Sequence, residues 1–448
     1  MLALVVNPVA GVGGPAGLAG SDGADVQVEA AARGARPQAG ERARVALEVV
    51  ATSLRPSRSA DGVDATRDHA PVILTAAGPM GEDAVRAAGL EARVVHRPGG
   101  AGAEASALET TPADTTAAVR ALVDAGATLV LFAGGDGTAR DVAAGLGPSP
   151  VVGVAPSRAD GSASRDGVST ADADDSAHGA GRRGVAALGI PAGVKMYSPV
   201  FAVSPRAAGT LAAAWAEASA TGALPVQQRE VLDLDEAAMR RARVEPRLYG
   251  TMPVPYRAGR TQSRKAATPV SEQAAVAAAA RGAARALLPG VRYLLGPGGT
   301  MAELARELGV AKTPLGVDVV LDGRVVRAGA SEHELVDEIS RGPAKAVVSV
   351  IGGQGFLLGR GNQQLSARVL RLLGDDPLLV VAPEQKLVDL GGRPLLVDTG
   401  DPRVDARLAG FTRVITGAAT TSVYPVQAPD AEASHPTPTH TEGEGHAP

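Results

Sequence analysis

The sequence predicts an α/β protein, with a doubly wound Rossmann-like first domain that carries a Gly-Gly-Asp-Gly-Thr loop and a second, mixed α/β domain. Short apolar runs recur in the first half, at residues 2–6, 72–75, 92–95, 128–132 and 151–154. Helical patterns lie between several of these runs, and this alternation is typical of an open parallel sheet. Hydrophobic residues make up 45% of the chain and aromatic residues 2%. Ala, Val and Leu must therefore build the core, which suits parallel strands beneath small-residue helices.

Length and composition exclude several classes of function. A chain of 448 residues is too long for one ordinary core, so we expect two domains. Lys and Arg number 44 and Asp and Glu 48, and no basic tract is interleaved with aromatic residues, so we expect no nucleic-acid partner. Cysteine is absent. This absence excludes disulfides, thiolate metal sites and cysteine nucleophiles.

The amino terminus favours a cytoplasmic protein. The segment MLALVVNPVAG begins a strand directly, without a basic region or a long apolar region of the kind found in secretion signals. No apolar run approaches the roughly 18 residues that a membrane span needs. We therefore expect no membrane partner.

Local signals place several elements of the first domain, for which we predict the bounds 1–205. Thr111, Pro112 and Asp114 have the spacing of a helix start with an N-cap and a capping carboxylate. Residues 156–184 contain almost no large apolar side chain and predict a disordered insertion. Similar pieces flank it, VVGVAPS and ALGIPAG, and we favour the second as the strand because it continues into an ordered segment. Ser204 and Pro205 then predict another helix.

A second domain is predicted at 206–417, followed by a disordered tail at 418–448. β-prone stretches at 226–233 and 246–256 precede a long Ala-rich helix near 272–288. Strand patterns at 293–295, 315–320, 346–351 and 378–381 are each followed by a glycine turn or a helix signal. One of these signals, Ser331 followed by Glu334, is a capping box.

The segment TLVLFAGGDGTARD carries the strongest chemical signal. Gly134, Gly135, Asp136, Gly137 and Thr138 lie where an apolar strand ends and a helix begins. Glycines let the backbone approach a phosphate closely, and the helix start presents unpaired N–H groups with a partial positive charge. Asp136 could hold Mg²⁺ against the phosphates or take a proton from an acceptor hydroxyl, and the sequence leaves both roles open.

A second glycine-rich turn follows the first strand, in NPVAGVGG. It contains Asn7 and Gly11 and lies at the same edge of the predicted sheet as the first loop. Alone, this turn is equally compatible with a structural role and with ligand binding. Two such turns side by side predict a cleft.

The pair NPVAGVGG and FAGGDGTARD resembles the superfamily of ATP-NAD kinases, diacylglycerol kinases and phosphofructokinases. The segments GPMGED, IPAGVKMYSPVFAVSP, LGPGGT, LGVDVV and IGGQGFLLGRGNQQ resemble the ATP-NAD kinase-like branch that includes the acetoin-catabolism X proteins. The resemblance spans residues 1 to about 417, apart from the insertion. It implies an ATP-dependent phosphorylation of NAD at the adenosine 2′-hydroxyl, with Mg²⁺, in a protein that forms homo-oligomers.

The same resemblance implies roles for individual residues. Asp136 would be the catalytic aspartate and a metal ligand, and Asn7 would support the nucleotide cleft. Asp141 occupies a place where related kinases carry an acidic or polar ligand-binding residue. The remaining positions expected to bind nucleotide are Gly11, Gly134, Gly135, Gly137 and Thr138.

The chain departs from better-understood NAD kinases in one loop. Those enzymes hold the adenosine ribose with an Asn-Glu or Asn-Asp pair, whereas the comparable segment here reads PAGVKMY, residues 191–197. Gly193 and Lys195 are the candidates from this segment, because a lysine beside a glycine turn can neutralise phosphate charge.

Two glycine-rich segments of the second half are further candidates. YLLGPGGT reads as a second strand–loop–helix phosphate site, with a packing turn as the alternative. In IGGQGFLLGRGNQQ, the side chains of Arg360, Asn362 and Gln363 could contact a polar ligand. Both segments resemble those of sugar-phosphate isomerases and sugar-phosphate-sensing domains.

These observations predict a kinase with an inter-domain cleft in which Asp136 assists phosphoryl transfer. A rival hypothesis from another class is a non-catalytic nucleotide or sugar-phosphate sensor, which needs the glycine loops but not Asp136. A third keeps the kinase chemistry and changes the acceptor to another small hydroxyl compound.

Overall fold

The computed structural model describes residues 1–18, 24–54, 71–99, 110–147, 184–194, 196–221, 224–234, 246–263 and 272–430. The strand expected at 151–154, residues 156–183 of the expected insertion and Lys195 lie outside these ranges, as do residues 431–448 of the expected tail.

Five parallel strands form the first sheet, in the order β3-β2-β1-β4-β5. They are β1 (Leu2–Val6), β2 (Val72–Ala76), β3 (Glu91–His96), β4 (Leu129–Gly134) and β5 (Ala186–Pro191). The helices within this part are α1 (Ala24–Ala32), α2 (Ala39–Ser53), α3 (Glu82–Ala87), α4 (Pro112–Asp124) and α5 (Asp136–Leu146). The chain builds outward from β1 to β3 and then returns to β4 beside β1, so that α2 packs with α3, and α4 packs with α5. This confirms the doubly wound parallel sheet.

Local chemistry explains where the helices of this domain begin. The backbone N–H of Thr111 donates to Asp114 Oδ2 at 2.8 Å, and Pro112 occupies the first turn of α4. Ser204 Oγ accepts from the N–H of Ala207 at 3.0 Å at the start of α6 (Pro205–Thr221). Both starts satisfy donors that have no partner inside the helix.

The first core extends beyond the predicted boundary at residue 205. Helix α6 packs on α2, and the antiparallel hairpin of β6 (Val226–Leu234) and β7 (Pro246–Pro255) packs on β5 and α5. Their apolar side chains belong to the same buried cluster as β1 and β4; these are Ala207, Ala208, Leu211, Ala212, Val231, Met252 and Val254. The boundary at 205 is therefore wrong, because this long-range burial joins α6 and the hairpin to the first sheet.

The second sheet has nine strands in the order β10-β9-β8-β11-β13-β15-β16-β14-β12. Its strands are β8 (Arg292–Leu295), β9 (Val317–Leu321), β10 (Arg324–Ala330), β11 (Ala344–Val348), β12 (Phe356–Leu358), β13 (Leu378–Val381), β14 (Leu395–Val397), β15 (Gly410–Ile415) and β16 (Thr421–Gln427). The accompanying helices are α7 (Gln273–Ala286), α8 (Gly299–Glu307), α9 (Glu332–Ser340), α10 (Ala367–Leu372), α11 (Glu384–Val388) and α12 (Pro402–Leu408). In the described part of the chain, no helix is long and apolar enough to cross a bilayer.

Parallel and antiparallel pairs are mixed in this sheet, which confirms a second, mixed α/β domain. Strands β8, β11, β13 and β15 are parallel, whereas β9, β10 and β16 introduce antiparallel pairs. The predicted capping box is present, since the N–H of Ser331 donates to Glu334 Oε2 at 2.9 Å.

The prediction of a disordered tail is wrong for residues 418–430. Strand β16 pairs antiparallel with β15 and parallel with β14, and Val426 is buried. Pairing on both edges satisfies the backbone N–H and C=O groups of this segment. The composition of the segment does not indicate this pairing.

Phe356 joins the two domains through apolar contact. It belongs to β12 of the second sheet, yet it is fully buried within the core cluster of the first sheet. The guanidinium of Arg360 lies 4.0 Å from the centre of its ring. The domain interface therefore contains a buried phenylalanine ring in contact with the Arg360 guanidinium.

Replacing Phe356 with Ala should lower the free energy of unfolding by about 3–5 kcal/mol, because it opens a cavity at this interface. Phe411→Ala is the matched control, since the Phe411 side chain is 79% exposed and should change stability by less than about 0.5 kcal/mol. Guanidinium unfolding midpoints of the two variants measure the difference. Equal midpoints would show that Phe356 contributes nothing to the interface.

Candidate active site at the carboxyl edge of the first sheet

Three strands of the first sheet end side by side. β1 pairs with β4 at Val6 and Ala133, and β4 pairs with β5 at Gly134 and Pro191. The turns that follow them are bonded together, since Asn7 donates its N–H to Ala133 O at 3.0 Å. The N–H groups of residues 192 and 193 both donate to Gly134 O, at 3.0 and 2.8 Å. The Gly134–Thr138 loop is thus held between its two neighbours.

Most glycines of these turns serve close packing. A Cβ on Gly193 would collide with Gly135, one on Gly134 would collide with the Thr138 side chain, and one on Gly11, whose φ is +80°, would collide with Ala192 O. Gly137 differs, because a Cβ there would meet one described atom within 4 Å, Asp233 Oδ2 at 3.9 Å. Among Gly134, Gly137 and Gly193, Gly137 is therefore the least tightly packed.

Asn7 and Thr138 tie the two glycine turns together. Asn7 Nδ2 donates to Thr138 Oγ1 at 3.0 Å, and Asn7 Oδ1 accepts from the N–H of Val9 at 3.2 Å. Thr138 is buried. The structure therefore gives both side chains a supporting position beneath the loop.

Asp136 opens α5 and is 1% exposed. Its Oδ1 accepts from the N–H of Ser198 at 3.0 Å and lies 2.6 Å from Ser198 Oγ, and its Oδ2 accepts from the N–H of Tyr197 at 2.6 Å. Burial raises the pKa of Asp136 to about 6, against the opposing effect of these three hydrogen bonds. A carboxylate has about four acceptor positions, so one on Oδ2 has no donor among the described residues.

Ser198 connects Asp136 to the β6–β7 hairpin. Its Oγ lies 2.8 Å from Leu232 O and accepts from the N–H of Leu232 at 2.9 Å. Sequence reasoning missed Ser198, although the ordered segment after the glycine turn was recognised. No signal in the sequence indicates that β6 lies against this segment.

Asp141 lies one turn further along α5, beside Arg140 and not at the glycine loop. Arg140 Nε is 3.3 Å from Asp141 Oδ1, and Arg140 Nη1 is 2.9 Å from Asp233 Oδ2. Asp233, on β6, is another residue that the sequence did not indicate, and its charge adds to the raised pKa of Asp136 after burial.

A cleft lies between the two domains next to these turns. Its lining comprises Gly11, Gln38, Arg42, Pro191, Ala192, Gly193, Met196, Gly359, Gln363, Leu365, Ser366, Asp398 and Thr399. Gln363 reaches across it and donates from Nε2 to Gly193 O at 3.1 Å.

Two arginines share the buried Asp398 at this cleft. Arg42 Nη2 and Arg360 Nη1 lie 2.6 and 2.9 Å from Asp398 Oδ2. Burial alone would raise the pKa of Asp398, but the charges of Arg42 and Arg360 outweigh it and hold the pKa below its ordinary value.

The expectation that Arg360 and Asn362 contact a ligand is wrong. Arg360 also donates to Gln262 Oε1 at 3.1 Å and to Val203 O at 2.9 Å, and Asn362 donates to Leu357 O at 2.8 Å. Both side chains are buried and their polar groups bind the protein itself. Gln363 is the residue of that segment that lines the cleft.

The glycine loop of the segment YLLGPGGT follows a strand of the second sheet. Helix α8 begins at Gly299, and Lys386 Nζ donates to the buried Thr300 Oγ1 at 3.1 Å. This loop follows β8 and is not part of the cleft lining.

Two protein-family models match most of the chain. That of the ATP-NAD kinase N-terminal domain matches residues 3–159, and that of the ATP-NAD kinase C-terminal domain matches residues 288–426. The chain belongs to the ATP-NAD kinase family. It is accordingly a phosphotransferase, and its family uses ATP and NAD with a divalent metal. No curated protein and no solved structure matches the chain.

The family match leaves part of the site uncovered. Gly193, Ser198 and Asp233 lie between the two matched segments. The hydrogen bonds that cover Asp136 therefore come from a part of this kinase outside the matched domains.

Asp405 carries a second raised pKa, near the interface. Its Oδ1 accepts from the N–H and from Oγ1 of Thr399, at 2.9 and 2.7 Å. Burial raises the pKa of Asp405 to about 7, and the negative charges of Asp398 and Asp430 act in the same direction.

The raised pKa predicts that Asp405 makes the folded kinase less stable as pH increases. The folded state prefers protonated Asp405, so its stabilising contribution is complete below the unfolded pKa of about 4 and is lost as pH rises through about 7. Asp405→Asn keeps the accepting oxygen without the charge. The variant should exceed the parent in unfolding free energy at pH 8, by about 1–4 kcal/mol, and much less at pH 4.

Thermal or urea unfolding at both pH values measures this effect. Asp401→Asn is the opposite control, because Arg371 and the N–H groups of Arg403 and Val404 outweigh burial and lower the pKa of Asp401. That variant should lose stability at pH 8. A pH-independent difference for Asp405→Asn would contradict the assignment.

Proposed function

We propose that this kinase transfers the γ-phosphoryl group of ATP to the 2′-hydroxyl of the adenosine ribose of NAD. The proposal rests on one observation above all: Asp136, in the glycine loop of a family member, is a buried carboxylate with a pKa of about 6 and one open acceptor position. A base of this pKa is matched to proton transfer near neutral pH.

In the proposed reaction, the ribose hydroxyl oxygen attacks the γ-phosphorus. A new oxygen–phosphorus bond forms, the bond from the γ-phosphorus to the bridging oxygen breaks, and ADP leaves. The hydroxyl proton passes to Asp136 Oδ2, since Oδ1 already has two donors. Because Asp136 is 1% exposed, the groups that cover it must move before a hydroxyl can reach Oδ2.

The glycine turns would supply position and charge stabilisation. The N-terminus of α5 has no side-chain cap, so its positive end can stabilise a phosphate group at the Gly134–Thr138 loop. Asn7 and Thr138 hold this loop to the first turn. In this proposal the remaining loop glycines allow the close packing that places it; they are Gly11, Gly134, Gly135 and Gly193.

We propose that Asp136 acts as the proton acceptor rather than as a metal ligand. Three of its acceptor positions are filled, and no group of three or more acidic or histidine side chains could hold a metal ion among the described residues. In phosphotransferases Mg²⁺ is commonly carried by substrate phosphates. We propose that Mg²⁺ enters with ATP, and no step here depends on a protein-bound metal.

Asp136→Ala should lower kcat for NADP formation by about 10²–10⁴-fold, because it removes the proton acceptor. NAD, ATP and Mg²⁺ are supplied, and NADP is measured with an NADP-specific dehydrogenase. Asp124→Ala, at an exposed position of α4, is the matched control and should retain activity. A fully active Asp136→Ala variant would remove Asp136 from the reaction.

The parent protein decides the acceptor in the same assay. NADP formation would support NAD as the phosphoryl acceptor. ATP consumption with other small hydroxyl compounds, but never with NAD, would contradict NAD as acceptor while leaving the kinase chemistry intact.

Ser198→Ala should move the acidic limb of the pH profile of kcat/KM to higher pH. The hydrogen bond from Ser198 opposes the effect of burial on the pKa of Asp136, so its loss raises that pKa further. Initial rates from pH 5 to 9 report the limb. Ser340→Ala, which removes an exposed hydroxyl on α9, should leave the profile unchanged. An unmoved limb in Ser198→Ala would show that Asp136 does not set it.

A further inference from the structure

Arg42 is fixed in the cleft by two of its three nitrogens. It lies in the first turn of α2, where Nε donates to Pro191 O and Nη2 donates to Asp398 Oδ2 at 2.6 Å. Its side chain is 14% exposed and lines the cleft. These two bonds set the plane of the guanidinium before any ligand arrives.

The third nitrogen, Nη1, has no hydrogen-bond partner among the residues that the structure describes. It lies at the turn after β14, where a Cβ on Gly400 would be 3.5 Å away. A guanidinium with one bonded edge and one open nitrogen can offer two further N–H donors. Such a group is oriented for an anion and loses little side-chain freedom on binding it.

The charge around Arg42 also favours an anion. Arg42 and Arg360 share one carboxylate, that of Asp398, and the neighbouring Asp430 is paired with another cation, Arg206, at 3.9 Å. Among the described residues that line the cleft, Asp398 is the only other charged one. No side chain caps α2, and the carboxylate in its first turn, Glu41, is paired with Arg44 at 2.5 Å.

We infer that Arg42 binds, through Nη1, a diphosphate group of a nucleotide held in the cleft between the two domains. The backbone turns at Gly11 and Gly193 line the same cleft. ADP, ATP and NAD all contain this group. The identity of the nucleotide rests on the proposed function, whereas the assignment of an anion to Arg42 does not.

The test is the binding of ADP, of NAD and of adenosine by titration calorimetry, without turnover. Arg42→Gln should raise the Kd of whichever diphosphate ligand occupies the cleft by about tenfold or more, the effect of losing one hydrogen bond to a charged group. Adenosine affinity should stay unchanged. Arg42→Lys, which keeps the charge, should show a smaller loss. The salt dependence of ADP or NAD binding should weaken in Arg42→Gln.

Arg371→Gln is the matched control, because it removes an arginine that pairs with Asp401 at 2.6 Å outside the cleft. It should leave all three affinities unchanged. Unchanged ADP and NAD affinities in Arg42→Gln and Arg42→Lys would overturn the inference, as would an equal loss for adenosine. If Arg42→Gln binds the diphosphate ligand tenfold more weakly and the parent protein never forms NADP, the anion site at Arg42 is supported. Only the proposed NAD kinase activity is then contradicted.

Discussion

The buried carboxylate of Asp398 links the two domains by ion pairs. A buried charge is costly unless it is paired, and here two guanidiniums share one carboxylate. Arg42 comes from the first domain and also holds the carbonyl at the end of β5. Arg360 comes from the second domain and holds Val203 O. Together with the buried Phe356, this cluster holds the second sheet against the carboxyl edge of the first, beside the cleft.

Around Asp136, the same edge is organised by hydrogen bonds from outside the glycine motif. Burial by itself favours the protonated carboxyl, and the donors at Tyr197 and Ser198 favour the charged form. The balance leaves the pKa of Asp136 at about 6. Because Ser198 is bonded to Leu232, the hairpin takes part in this balance. The pKa of Asp136 is thus influenced by residues that lie between the matched family domains.

Predictions from local signals were confirmed where the signal was physical and short-range. The capping residues at Thr111 and Ser331 start their helices because a nearby side chain satisfies an end donor. Predictions failed where partners are distant in sequence. The boundary at 205 was misplaced because α6 packs on α2. The start of the tail was misplaced because β16 pairs with β14 and β15. Arg360 was misjudged for the same reason, since its partners are distant.

The sequence by itself determined the first sheet, its glycine loops and their place at the carboxyl ends of strands, because apolar periodicity and backbone freedom act over a few residues. It also indicated the family through those loops. Only the tertiary structure decided what surrounds Asp136, which arginine faces the cleft and which is buried, and where the first core ends. Burial, charge and pKa depend on neighbours that folding brings together from distant parts of the chain, and no local pattern contains them.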